Sequence, residues 1–392
     1  MRARSSQPAA PTAELELARL CTGTAARRGA AAARLQRLGA TVDWSAMTAL
    51  LQANRLLPLL GPRLLALPET EPGEEFDAAV AESLTAGRHQ AALLQMVADL
   101  VVDELGRGGI AATPLKGPSL SEAIYADPGR RQSSDVDLLV AAEHLGAAVE
   151  VARGLGYGPP SDRVDRRGLP LLHFSLVHER GELPPLELHW RIHWYDTRFA
   201  AERLLPPAGS TAGWRPGPAA ELAALLLYYA RDGFVGLRQA TDLGAWWDRH
   251  GEQVEAGALA ALADNYPRLR PALASSARMA AASVGLPAPS GLEPSARGRL
   301  AVDLARRAPL IRSQEQLFAQ IGLIDGLLSP RRGRRAFLRR QIAPPREVIE
   351  GRARKNGREG RPPSPAGFAV RTLFRYCLTL STLLRPRQGA LA

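Results

Sequence analysis

Residues 130–140 read RRQSSDVDLLV. Two arginines and two serines precede Asp135 and Asp137, which are separated by one valine, and an apolar run follows. The alternation over SSDVDLLV predicts a β-strand. Successive side chains on a strand point to opposite faces, so Asp135 and Asp137 share one face, about 6.5–7 Å apart at Cα. Val136 and Leu138 take the other face, toward a core. Like charges this close repel, and beside a core they also lose their water. Divalent cations would neutralise them, so the strand reads as a metal platform.

The flanking sequence extends the pattern. GIAATPLKG (109–117) reads as a short strand, SLSEAIYAD (119–127) as a helix, DPGRR (127–131) as a turn and EHLGAAVEVARGLGY (143–157) as a helix ended by Gly156. LLHFSLVHERGELPPLELHWRIHW (171–194) reads as two strands about an RGELPP turn. The order strand, helix, strand, helix, strand, strand makes an α/β unit. On the last strand Glu187, His189 and Arg191 share one face, and Leu186, Leu188 and Trp190 the other. Glu187 is thus a candidate third carboxylate.

Mg²⁺ takes oxygen ligands from a few carboxylates and from substrate phosphate. A metal pair about 3.5–4 Å apart is the arrangement of two-metal phosphoryl transfer. TPLKGPSLSEAIY (113–125) runs from a strand through Gly117 into a helix, whose N-terminal N–H groups favour an anion. Lys116 and Ser119 lie there, and Lys116 is one of only two lysines among 50 cationic residues. Arg131 is a candidate to fork onto phosphate.

LKGPSLSEAIYADPGRRQSSDVDLLV (115–140) followed by LELHWRI (186–192) resembles an uncharacterised bacterial nucleotidyltransferase family within the polymerase-beta-like superfamily. Lys116, Gly117, Tyr125, Arg131, Asp135, Asp137, Glu187, His189 and Trp190 carry the resemblance, and LRQATDL with Asp242 extends it. It covers roughly 85–290, with the strong motifs at 114–140 and 171–194. It implies an α+β nucleotidyltransferase core, a small mixed sheet between helical regions, that holds Mg²⁺ in a two-metal site and takes an NTP as substrate. Asp135 and Asp137 would bind metal, and Glu187 would bind metal or deprotonate the acceptor. Lys116, Gly117, Ser119 and Arg131 would hold the nucleotide, and His189 is a candidate substrate contact. The sequence departs from the superfamily in following Gly117 with Pro118 before Ser119, and in lacking a histidine at YYARDG (228–233).

The remaining sequence divides around this core. Residues 1–105 read as an N-terminal helical region, 106–200 as the core, 201–330 as a C-terminal helical domain, and 331–392 as a basic segment with a terminal helix. The chain has 392 residues, 46% hydrophobic and 23% charged, a globular composition. Its net charge is +11, of which residues 331–361 carry +9. That segment reads first as a solvated tail or a contact for an acidic partner, with a nucleic-acid contact as the alternative, since it lacks interleaved aromatics. The terminal helix is expected to pack on the protein's own core, with a peripheral membrane contact as the alternative. Two cysteines make no disulfide framework, no window reads as a transmembrane helix and the N-terminus has no secretory leader, so a cytoplasmic location is expected. GLGYG (154–158) follows a helix, which excludes a dinucleotide fingerprint. His189 and His193 read first as solvated or hydrogen-bonded strand histidines, with a metal-ligand role as the alternative, and His173 and His178 as lying on opposite faces. The activity expected is Mg²⁺-dependent transfer of NMP from an NTP to an acceptor on a small molecule, peptide or protein. The alternatives are an inactive interaction protein of the same fold and an RNA-binding accessory.

Overall fold

The computed structural model describes residues 12–68, 70–160, 171–207, 214–308, 314–330, 339, 342–346, 348–350 and 364–384. Most of the basic segment 331–361 lies outside the described residues. The chain opens with helices α1 (Ala13–Leu20), α2 (Ala25–Ala30), α3 (Ala32–Gly39), α4 (Trp44–Ala53), α5 (Leu57–Leu65) and the long α6 (Glu74–Arg107). Side chains that accept otherwise unpaired N–H groups start several of them: Thr12 for α1, Thr24 for α2 and Asp43 for α4. Leu17, Met47, Leu51, Leu60, Phe76 and Val80 form the core of this region.

Next come β1 (Ala112–Pro114), α7 (Gly117–Tyr125), β2 (Val136–Val140), α8 (Leu145–Gly154), β3 (His173–Leu176) and β4 (Leu186–His189). The order strand, helix, strand, helix, strand, strand is the expected one. The strands form one mixed sheet, β1-β2-β4-β3, with β2 antiparallel to β1 and parallel to β4, and β4 antiparallel to β3.

One face of the sheet is apolar. Val136, Leu138 and Val140 of β2, Leu186 and Leu188 of β4 and Leu176 of β3 pack against Leu94, Val97, Val101 and Leu105 of α6 and Ala148, Val149 and Ala152 of α8. Leu138, Leu186 and Leu188 are fully buried, each contributing about 1.5–3 kcal/mol. α6 therefore belongs to two cores. Its first turns seal the N-terminal helices, and its last turns form the floor of the sheet.

The C-terminal region contains α9 (Phe199–Leu204), α10 (Pro218–Arg231), α11 (Leu237–His250), α12 (Ala258–Asn265), α13 (Arg270–Ser283), α14 (Ala296–Arg307), α15 (Gln314–Leu328) and α16 (Pro365–Leu384). Every residue of α10 from Leu222 to Ala230 is buried, as expected of a helix apolar on all sides. The core of this region reaches the second face of the sheet through Leu139 and Ile192. It covers one end of that face and leaves the end carrying Asp137 and Glu187 beside α7. α16 buries Phe368, Thr372 and Thr379 while Val370, Phe374 and Leu378 face outward, so only one side of it packs on the protein as the sequence suggested. No helix among the described residues is long and apolar enough to cross a membrane.

Two polar ties lock the sheet to its surroundings. In the first, Arg131, 8% exposed, donates from Nε to Asp242 Oδ2 of α11 at 3.0 Å, and Tyr125 OH donates to Asp242 Oδ1 at 2.8 Å. The Arg131 amide donates to Ser121 Oγ, whose hydroxyl donates to the Asp127 carbonyl. On the outer side of this turn Arg88 grips the Asp127 carboxylate, and the Gly129 carbonyl lies so close to Gly87 that a Cβ there would strike it. In the second tie, Asp196 accepts the N–H groups of Ile192, Arg198, Phe199 and Ala200, fixing the turn after β4 and the start of α9. His193 lies within that turn, 1% exposed, and its Nδ1 accepts the Tyr195 N–H.

Both ties generate expectations for stability. Arg131→Met leaves Asp242 buried without its cation and should lower stability by about 3–5 kcal/mol, whereas Arg131→Met with Asp242→Leu should recover most of the loss; denaturant midpoints of the three proteins measure this. Burial pushes the His193 imidazole down to about 3, from an ordinary value near 6.5. Between those values the unfolded chain binds the proton and the folded chain does not. The contribution of His193 is therefore present above pH 6.5 and is lost as pH falls toward 3, at up to about 1.4 kcal/mol per pH unit. Unfolding free energies from pH 7 to pH 4 should fall less steeply in a His193→Asn variant than in the parent.

Candidate active site

β2 begins at Val136, so Asp135 stands immediately before the strand and Asp137 is its second residue. The parallel register sets Asp137 opposite Glu187, and the antiparallel register sets Glu187 opposite Ser175 and His189 opposite His173. One face of the sheet thus collects Asp137, Glu187, His189 and His173. His189, 1% exposed, lies between the carboxylates, its Nε2 2.8 Å from Asp137 Oδ1 and 3.2 Å from Glu187 Oε2. His173 Nε2 is 3.4 Å from Glu187 Oε1. Asp135 Oδ1 accepts the Ser133 hydroxyl at 3.1 Å.

The turn from β1 into α7 delivers Lys116. Its Nζ donates to Asp137 Oδ1 at 3.0 Å and stands 5.1 Å from the centre of the Tyr228 ring of α10. The Arg231 guanidinium stands 5.0 Å from the same ring. Gly117 has φ +68°, a backbone state that a side chain disfavours, and so permits the reversal that turns Lys116 back over the sheet. Ser119 is the third residue of α7, and its hydroxyl donates to Gln95 Oε1 of α6 at 3.0 Å.

The three carboxylates titrate differently. Burial pushes Asp135 up, and the negative charges of Asp137 and Glu187 push it further. Burial would also raise Asp137, but the Lys116 ammonium and the His189 hydrogen bond hold it well below the usual carboxylate range. Glu187 is likewise held low against its burial, chiefly by the His189 hydrogen bond. Burial pushes His173 down to about 4, with the neighbouring His189 adding to the effect, which keeps the His173 ring neutral near pH 7. The cluster therefore holds ionised Asp137 and Glu187 next to an Asp135 whose ionisation they oppose.

The residues singled out in the sequence fall into two groups. Asp135, Asp137, Glu187, Lys116, Gly117 and His189 gather around the two central strands, β2 and β4. Arg131 instead has its Nε on Asp242, and Ser119 faces Gln95. A recess of about 10 Å³ lies among Lys116, Ser119, Asp135 and Asp137. A larger groove of about 540 Å³ starts at Gln95 and Ser119 and runs along α6 and α7 to Arg215, Arg249 and His250. The larger space thus adjoins the carboxylates without enclosing them. The motif reading missed His173, Tyr228 and Arg231. His173 and His189 are equidistant from Gly181 in the hairpin turn, so counting outward from that turn pairs them. Tyr228 and Arg231 come from a helix distant in sequence, and no local pattern points to them.

Donor chemistry bears on what the cluster can hold. Asp135, Asp137 and Glu187 offer only oxygen atoms, the set that suits Mg²⁺. His173, Glu187 and His189 offer ligand atoms all within 4.8 Å of one another, a mixed nitrogen and oxygen set. The chain matches the family model described as uncharacterised nucleotidyltransferase over residues 40–285, which includes every residue of the site. No curated protein and no solved structure matches the chain. With a match that runs from the N-terminal helices through the sheet to α13, the chain belongs to this family of nucleotidyltransferases.

Proposed function

We propose that the protein transfers an NMP group from an NTP to a hydroxyl or similar nucleophile on a small molecule, peptide or protein, with Mg²⁺ held by Asp135, Asp137 and Glu187. The observation that carries this reading is the electrostatics of the cluster. Asp135 is pushed up first by burial and further by the charges of Asp137 and Glu187, and a cation among the three would relieve that repulsion. The oxygen-only donor set suits Mg²⁺, and the family model described as uncharacterised nucleotidyltransferase spans the site. Bound Mg²⁺ would supply neutralising charge for the phosphate oxygens and for the departing pyrophosphate.

The other residues act around that centre. Lys116, at the start of α7, would give its ammonium to the triphosphate beside the free N–H groups of the first turn. Ser119 and Gln95 stand where this turn meets the groove. Glu187, held low by His189, is ionised and able to accept the proton of the attacking hydroxyl as the new oxygen–phosphorus bond forms and the bond to pyrophosphate breaks. His189 would hold Glu187 and Asp137 in a fixed relation. Arg131 would act through position, since its pairing with Asp242 fixes the turn that presents Asp135. The groove of about 540 Å³ has the size of a small-molecule site and would seat the acceptor.

Calorimetry tests the cation assignment. Asp135→Asn and Asp137→Asn should each abolish Mg²⁺-dependent ATP or GTP binding by a folded protein, and an Asp137→Asn variant that bound as tightly as the parent would overturn it. Glu187→Gln tests the third carboxylate, both as a ligand and as the proton acceptor. With labelled NTP and native cell extract, it should lower label transfer by about 10²–10⁴-fold. Absence of transfer by the parent with any of the four NTPs would favour the inactive interaction protein.

A further inference from the structure

We propose that His173, Glu187 and His189 form a second cation site that takes a borderline divalent ion, Zn²⁺, in preference to Mg²⁺. The proposal builds on the reading above, because Glu187 would border both sites. The oxygen-only position would lie toward Asp135 and Asp137, and the mixed position toward the hairpin. His173 is not among the residues named as carrying the resemblance, although it lies in the stretch 171–194.

Geometry is the first argument. His189 Nε2 lies 3.2 Å from Glu187 Oε2, and His173 Nε2 lies 3.4 Å from Glu187 Oε1. Ligands about 2.0–2.1 Å from a tetrahedral ion are separated from one another by about 3.3–3.4 Å. The two nitrogen–oxygen separations therefore stand near the spacing of such a shell, and all the donor atoms lie within 4.8 Å of one another. The sheet fixes them there: β3 and β4 set His173 directly opposite His189, and their ring centres are 4.6 Å apart. Capture of a cation would draw His189 Nε2 away from Asp137 Oδ1, now 2.8 Å from it, with no change in backbone register.

The second argument is charge. The ring contacts of His173 and His189 run through Nε2 to the carboxylates. Asp137 has Lys116 as its cation, whereas the contacts of Glu187 are the two imidazoles.

The third argument is selectivity. Mg²⁺ prefers oxygen ligands and keeps several waters. Imidazole nitrogen suits Zn²⁺ and other first-row ions, and affinity in such sites rises toward the end of that row. A set of two imidazoles and one carboxylate therefore differs in kind from the aspartate pair. The same face of the sheet would hold two chemically distinct positions side by side. Occupation of the second would convert Glu187 from a proton acceptor to a ligand, so the cation present would set the balance between those roles.

The test uses the full chain, stripped of metal with chelator and then titrated with ZnCl₂, MnCl₂ or MgCl₂ by calorimetry, with metal content measured after dialysis. The expected result is one Zn²⁺ retained per chain, with His173→Ala weakening Zn²⁺ binding by about 100-fold or more. His173→Asp, which replaces nitrogen by oxygen, should shift the preference from Zn²⁺ toward Mg²⁺. Circular dichroism identifies folded variants, and Co²⁺ absorption of the parent reports whether nitrogen ligands are bound. Failure of the folded parent to retain Zn²⁺, or equal Zn²⁺ affinity in the folded His173→Asp variant, would overturn the proposal. Asp135→Asn keeps the two readings separate, since it should lose Mg²⁺-dependent nucleotide binding while retaining Zn²⁺. If it kept both, the Mg²⁺ assignment would fail and the histidine site would stand.

Discussion

Asp137 is a carboxylate with a side chain only 4% exposed, on a strand whose neighbouring residues are all buried. Burying such a charge is costly unless it is paired and hydrogen-bonded. Two groups pair with it here, from opposite directions in the sequence. Lys116 arrives from the turn before α7, and His189 from the end of β4. Each constrains an element: the lysine ties α7 to the sheet, and the histidine ties β4 to β2 beyond the backbone ladder. Remove Asp137 and both groups lose their anchor, so the carboxylate organises the site as well as belonging to it.

The surrounding fold serves this arrangement in layers. α6 supplies an apolar floor, so that the only polar face of the sheet is the one carrying the carboxylates. α10 closes that face from above with Tyr228 and Arg231. α11 reaches across with Asp242 to hold Arg131 and Tyr125. The helical regions are therefore more than flanks. Without α11 the turn leading into β2 would lose its buried counterion, and without α10 the Lys116 ammonium would face water.

The sequence made the sheet legible because period-two alternation is a local signal. Asp137 on its strand with Asp135 just before it, Glu187 two residues before His189, and the strong turn between β3 and β4 each follow from neighbours a few positions away. The helix after the strand was also legible, although it begins at Gly117, two residues before the Ser119 start read from the sequence. What stayed hidden depends on long-range packing. Arg131 reads as a phosphate fork from its place beside the motif, yet its principal contact is Asp242 on a helix 111 residues away. Ser119 reads as a phosphate contact, yet Gln95 of α6 receives its hydroxyl. His173 was visible as a strand residue, but its role depended on register. The outward apolar side of α16 was not separable from its packed side, because threonines rather than large aliphatics occupy much of the buried side.

The central claim is that the side chains of Asp135, Asp137 and Glu187 act together on a cation that accompanies the nucleotide. A crystal structure with a non-hydrolysable NTP and Mn²⁺ in place of Mg²⁺ tests it most directly, since the ion is located by its anomalous signal. The account expects a peak in contact with both aspartates and with a phosphate oxygen, and Glu187 on the same side of the sheet. Ordered nucleotide with no cation touching Asp135 or Asp137, or with Glu187 turned away from it, would contradict the account.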